Sequence, residues 1–408
     1  MIKAVLFDLD DTLLRLSPQF LPTYMTGVGQ AVAALSTKNP VTPEKVSEAM
    51  RTAVRAMVEN LDPTRINREV FNECLAIQFD LPPSTVKAAF DQFHGGAYLD
   101  MQALIQPLPG ASALLKRLLD SGYIVVVATN PYFPLRQIQL RMEWAGIDPG
   151  LPLALVTHSE ESHFTKPNPH YYEEILARIG VEADEAIMVG DIFANDITPA
   201  VKVGMYTFWI DERGEQPDPG VRIQGRGTLS DFIALVEDGW LERLKQTVLP
   251  PLTEAHIPPR MIGDTGALIA LVESASPAFW HKFPLPGEWS PLEVLCHLRD
   301  SEALVQRPRL ERIVQEHNPF LEPPPPPPGP GERDLSGEDA LRAAQTFWVE
   351  RQRTLAFLGA LPLEAWTKPA RHSIFGPTNL LEMALFTARH DRLHISQLCQ
   401  TLGRCKES

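Results

Sequence analysis

Three acids stand within four positions near the amino terminus: Asp8, Asp10 and Asp11 in VLFDLDDTLL, residues 5–14, directly behind an apolar run. Carboxylates that crowded repel one another, so water or something positive must offset them. Asp8 and Asp10 lie two apart on an extended segment and point the same way, an arrangement suited to nucleophilic and general acid–base work on one substrate. Other apolar runs end on polar groups too. Thr129 and Asn130 close VVVATN, Lys166 lies in FTKPNP, and Asp191 and Asp196 follow AIMVG in GDIFAND. A lone surface lysine or a Thr-Asn turn is ordinary, but four strand exits carrying such groups in this order point to a ligand site at the carboxyl ends of a sheet. Toward the other terminus, His390 and His394 in ARHDRLHISQL sit at i and i+4 and share one helix face. Met383 and Leu398 fall on nearby turns of that face, and His297 in VLCHLRDSE lies with Val294 and Leu304 on one side of another predicted helix. Three inward imidazoles can bind a transition metal and leave positions open for water or substrate.

Parallel strands must carry the first set and a helical bundle the second. Residues 2–9 read as a first strand, followed after the insertion by 123–129, 153–157, 186–190 and 205–210, with helical segments between them. Strands alternating with helices predict a parallel sheet covered on both faces. Residues 18–105 show helical spacing and no strand, with Thr42, Pro43 and Glu44 forming a helix start, so a helical cap is inserted into an α/β core of 1–17 and 106–248. LPPLTEAHIPPR, 249–260, reads as an interdomain linker. Beyond it no strand is expected, and 266–276, 291–316, 338–358 and 379–402 read as four helices of a bundle covering 261–408. Ser290, Pro291 and Glu293 make a capping box, and Asn379 with Glu382 repeats it. The proline run 323–328 reads as a stiff crossover between the second and third helices; as polyproline II it would span about 19 Å.

The chain of 408 residues, 44% hydrophobic and 22% charged, has material for two or three cores. Its net charge of −14 disfavours nucleic acid and anionic membranes as partners. Four cysteines without a CxxC pair, no positively charged leader and no 18-residue apolar run lead to the expectation of a cytoplasmic protein. Cys296 adjoins His297, but neighbouring helical side chains diverge by about 100°, so a buried thiol is the reading rather than a Cys-His nucleophile. His372 is read as a solvated loop histidine, with lining of the histidine site as the alternative. Gly225 and Gly227 are read as a loop.

Asp8-x-Asp10-x-Thr12, then Thr129, Lys166 and GD191xxxxD196 resemble the four motifs of the haloacid dehalogenase superfamily over about residues 1–245. The resemblance implies Asp8 as nucleophile and Asp10 as general acid and then base. It implies magnesium held by Asp8, the Asp10 carbonyl and Asp191, with Asp196 in support from the outer shell. Thr129 and Lys166 would hold the phosphoryl group, with Asn130 beside them. Dehalogenating relatives lack the acid at the Asp10 position, so a phosphohydrolase acting on a small phosphorylated metabolite is implied, and a phosphomutase stays open. The physical chemistry agrees, because a hard cation prefers carboxylate and carbonyl oxygens and lets clustered acids stay together. Residues of about 265–408, through WSPLEVLCHLRDSE, the stretch 366–376 and HDRLH, resemble the DinB-like four-helix bundles. That likeness implies His297, His390 and His394 as ligands of nickel, zinc or iron, and a low-molecular-weight thiol as a candidate partner. Whether the bundle is the main activity, as a metal-dependent transferase or hydrolase, or a noncatalytic binding or dimerisation module stays open.

Overall fold

The computed structural model describes residues 1–35, 42–244 and 246–407. They divide into two compact units, Met1–Ile175 with Val181–Pro250, and Pro251–Ser408 with Leu176–Gly180. The strands of the first unit are β1 (Ala4–Phe7), β2 (Leu14–Leu16), β3 (Ile105–Pro107), β4 (Ile124–Val127), β5 (Leu155–Val156), β6 (Ala186–Gly190), β7 (Tyr206–Ile210) and β8 (Gly225–Gly227). Six of them form one parallel sheet in the order β5-β4-β1-β6-β7-β8. Every residue of β1, β6 and β7 is buried, as strands covered on both faces must be. The register sets Phe7 opposite both Val127 and Val189, which brings the carboxyl ends of β1, β4 and β6 level. This α/β architecture followed by a helical domain is the predicted fold class.

Helices Phe20–Leu35, Pro43–Glu59, Asn67–Phe79 and Pro83–Gly95 fill the insertion. The antiparallel pair β2–β3, with Leu14 opposite Pro107, is where the chain leaves the core and returns to it. The Thr42 hydroxyl accepts from the Lys45 N–H and caps the second of these helices. Tyr24 of the cap packs edge-on against Phe133 of the core at 5.1 Å, inside an aromatic cluster shared by both. Gly225 and Gly227 depart from the loop reading, because they form the edge strand β8. A Cβ on Gly225 would stand 2.5 Å from the Phe208 ring, so only glycine lets this strand close on β7.

The second unit contains helices Ile257–Ser274, Pro291–Ser301, Arg307–Gln315, Ala340–Gly359 and Leu380–Glu407. The first starts inside the stretch read as linker, because its prolines occupy the first helical turn, where backbone N–H groups have no intrahelical partner. The next two run on through a π-helical turn, Glu302–Gln306, placed where Pro308 withholds an N–H from the helical ladder. That extra residue per turn rotates the helix face, and Leu304, expected beside His297 on the inner side, is 73% exposed. The reciprocal Ser290–Glu293 box is formed, and the Glu382 N–H donates to Asn379 Oδ1 at 2.9 Å. The expectation of no strand after the linker fails. β9 (Phe320–Leu321), β10 (Pro369–His372) and β11 (Gly376–Asn379) make a three-stranded sheet. PARH and GPTN carry prolines and no apolar alternation, so the pattern that reveals strands is missing from them. Inside the bundle, Arg351 grips Glu302 with Nε at 3.0 Å and Nη2 at 2.8 Å, and Nη2 also reaches Asp391 at 2.5 Å. This pairing makes three buried charges tolerable.

Candidate active site and histidine cluster

Asp8 follows β1 directly, Thr129 lies two residues past β4, Asp191 follows β6, and Asp196 lies in the π-helical turn Phe193–Ile197. Carboxylate oxygens of Asp8, Asp191 and Asp196 come within 4.8 Å of one another. The buried Lys166 ammonium donates to Asp8 Oδ1 at 2.7 Å and to Asp196 Oδ1 at 2.6 Å. The other oxygen of Asp196 accepts the Ile192 N–H at 2.9 Å. Both oxygens of Asp196 are thus engaged by the protein, whereas Asp191 Oδ1 is buried without a partner among the described residues. The Asp191 carbonyl accepts the Trp209 indole N–H at 2.9 Å, which fixes the backbone at this acid. A Cβ on Gly190 would lie 2.4 Å from the Asp196 carboxyl carbon, so any side chain there would push Asp196 off Lys166.

Burial, followed by the Asp8 and Asp196 charges, pushes Asp191 up to about 8. Burial likewise raises Asp196 to about 6 against the pull of Lys166. Burial alone would depress the Lys166 ammonium, but Asp196 and Asp8 more than offset it and hold the group well above its ordinary value. Of three clustered carboxylates, two share one ammonium, the donors are all oxygen, and Asp191 Oδ1 is left without a partner among the described residues. Such a donor set fits a hard divalent cation.

Thr129 is buried, and its carbonyl accepts the Thr157 hydroxyl at 2.6 Å and the Tyr171 hydroxyl at 2.8 Å. Asn130 Oδ1 accepts the Lys166 N–H at 3.2 Å and ties the β4 exit to the lysine loop. Asp10 stands apart from the carboxylate cluster, with Oδ2 accepting from Arg141 Nη1 at 2.6 Å. Burial pushes Asp10 up, Arg141 holds it partly back, and Asp8 adds to the rise. Asp11 turns away at a left-handed φ of 59° and accepts from the Leu16 N–H.

Arg141 was not among the residues the sequence motifs single out. It is fully buried on helix Leu135–Trp144, its guanidinium lies 4.6 Å over the Phe133 ring, and its Nε and Nη2 have no partner among the described residues. A signal existed, because Arg141 falls three after Ile138 and four before Ala145, both buried, which sets it on the inner face of that helix. A cavity of about 510 Å³ between cap and core is lined by Arg68, Lys87, Phe90, His94, Tyr132 and Ser159 among others. None of Asp8, Asp10, Thr129 or Lys166 lines it.

In the second unit, ligand nitrogens of His297, His390 and His394 lie within 4.8 Å of one another. The ring centroids of His297 and His394 are 4.6 Å apart, and those of His390 and His394 4.5 Å. Burial, and then the two neighbouring imidazoles, lower His297 to about 4, so it is neutral at neutral pH, the form that ligates metal. His394 Nδ1 lies 2.7 Å from Gln397 Oε1; as donor in that bond it leaves Nε2 to face the other two histidines. Three clustered, half-buried imidazoles suit a borderline transition metal. Met383, Leu398 and the Cys296 thiol are buried. His372 is not solvated. It ends β10, is 4% exposed and stacks on Phe375 at 4.5 Å, because the β10–β11 hairpin folds it inward.

Residues 2–204 match the family of haloacid dehalogenase-like hydrolases, and residues 260–398 match the DinB superfamily. Glyceraldehyde 3-phosphate phosphatase of Pyrococcus abyssi is 30% identical over 216 residues, covering 51% of this chain and 81% of that protein. Ribulose-1,5-bisphosphate 5-phosphatase of Halopiger xanaduensis is 29% identical, covering 53% and 87%. Phosphoglycolate phosphatase of Rhodospirillum rubrum is 28% identical, covering 59% and 91%.

Proposed function

This chain belongs to the haloacid dehalogenase-like hydrolases, and from that premise we propose that its first unit is a magnesium-dependent phosphatase acting on a small phosphorylated metabolite. The clustering of the Asp8, Asp191 and Asp196 carboxylates, with the Lys166 ammonium bridging Asp8 and Asp196, carries the reading. The Asp8 carboxylate attacks phosphorus and forms an aspartyl-phosphate, while Asp10 gives a proton to the leaving oxygen and later takes one from water. Lys166 offsets phosphoryl charge and, with Thr129 and Asn130 beside it, would hold the phosphoryl group. Asp8, the Asp10 carbonyl and Asp191 would hold magnesium, and Asp196 would steady Lys166. The ion supplies the charge that lets a carboxylate approach a phosphate dianion. The three relatives act on short phosphorylated carbon chains by their names, so the test is a panel of glyceraldehyde 3-phosphate, ribulose 1,5-bisphosphate and phosphoglycolate with the purified chain. Phosphate release that requires magnesium and stops in EDTA is expected; release unaffected by EDTA would remove the metal from the reading.

A pH dependence follows for the metal-free protein. Asp191 titrates near 8 when folded and near its ordinary value of 3.8 when unfolded. Between those limits the folded state binds more protons, so stability falls as pH rises through the window. Magnesium takes the ionised form, and its gain in melting temperature over EDTA should be larger at about pH 8.5 than at about pH 6. Equal gains in differential scanning fluorimetry would count against Asp191 as a ligand.

The second unit favours a separate metal through His297, His390 and His394, on the strength of their 4.8 Å clustering. After dialysis against nickel, zinc or iron, the wild-type chain should retain one equivalent that His390→Ala loses. Equal occupancy of the two by elemental analysis would rule the ligand set out.

A further inference from the structure

A second cavity of about 510 Å³ is walled by the exposed proline run 323–328, by Leu304, Ile374 and Phe386, and by His297 and His390 of the histidine cluster. Its size is ordinary for a small-molecule site. Leu304 and Ile374 stand 73% and 75% exposed, apolar surface that an occupant would cover. Two polar groups on its lining are incompletely matched by the protein. Arg309 is 9% exposed, and one of its donors, Nη2, reaches the Glu322 carbonyl at 2.5 Å. Among the described residues no carboxylate pairs with it, although a buried guanidinium is costly without one. Burial accordingly pulls its pKa down. The other group is His372, 4% exposed, whose Nδ1 accepts the Ile374 N–H at 3.2 Å and the Phe375 N–H at 3.4 Å. An Nδ1 that accepts twice carries no proton, so the neutral ring bears its proton on Nε2. That N–H is buried and has no partner among the described residues. Burial, and then the nearby Arg309 charge, hold His372 below its ordinary value and keep it in this neutral form. Arg333, also on the lining, is already matched by Asp300.

We propose that this cavity binds a small monocarboxylate with an apolar body, its carboxylate held by the Arg309 guanidinium and the His372 Nε2–H. A planar guanidinium presents parallel donors that match a carboxylate, and one free positive charge matches one negative charge. A phosphate dianion would leave a surplus charge among prolines and Phe386. Because His297 and His390 share this lining, binding is tested without metal on them.

The test titrates 3-phenylpropionate and its neutral amide into the full-length, EDTA-treated chain by calorimetry. The acid should bind and the amide about tenfold more weakly or worse. His372→Phe keeps the ring stack but removes the N–H, Arg309→Met removes the charge, and each should weaken the acid about tenfold. A readout without variants is the 15N signal of His372 Nε2, which should shift with the acid and stay with the amide. Equal affinity for acid and amide, acid affinity unchanged in both variants, a His372 signal indifferent to the acid, or no binding at about 10 mM acid would each overturn the proposal.

Discussion

Asp8→Asn is expected to lower phosphomonoester turnover by about 10,000-fold or more, as removal of a covalent nucleophile does. The amide is isosteric and still accepts from Lys166 through its oxygen, so the geometry at Asp8 Oδ1 should persist. It also removes one negative charge from a cluster of three carboxylates, two of which share the Lys166 ammonium. The metal-free variant should therefore melt no lower than the wild type, and lost activity cannot then be ascribed to lost fold. Stopped and continuous phosphate-release assays on the panel, beside thermal melts in EDTA, check both halves. Substantial turnover by a folded Asp8→Asn protein would remove the aspartyl-phosphate from the reading.

The second large effect concerns Asp10 and the arginine that pins it. Asp10→Asn should cost about 100- to 10,000-fold in kcat, the range for losing a general acid–base group. Arg141→Met should cost less but change the pH profile, which a loss of packing alone would not do. Arg141 is the group that holds back the raised pKa of Asp10, so without it that pKa rises further. Proton donation to the leaving oxygen needs the protonated acid, and the alkaline fall in kcat should accordingly move to higher pH. Arg141→Lys, which keeps a cation opposite Asp10 Oδ2, should bring the fall back toward its wild-type position. A profile for Arg141→Met that is merely scaled down would show that the arginine serves only to fill its place between Phe133 and Phe20.

Much of this architecture is written in local pattern. Apolar runs such as AIMVG name buried strands by length and composition, and polar residues at the run ends follow from the rule that parallel sheets present their carboxyl ends to ligands. Helix starts at Thr42, Ser290 and Asn379 are legible because a cap and its first turn are a matter of four residues. Patterns fail where an element is short or draws its reason from elsewhere. β8 exists because Gly225 lets Phe208 close on it, and β10 and β11 exist because a hairpin around residues 373–375 pairs two polar tetrapeptides. The inward turn of His372 and the outward turn of Leu304 come from that hairpin and from the π-helical turn before Pro308.

By itself the sequence determined the fold class, the order of the motif residues along the chain and the shared helix face of His390 and His394, because each depends on periodicity or on neighbours a few positions away. Tertiary structure alone decided which oxygens are spoken for. Lys166 reaches Asp8 from 158 positions along the chain, and Arg141 reaches Asp10 from 131. Such pairings depend on strand register and helix docking across the sheet, and no local spacing encodes which buried charge will meet which.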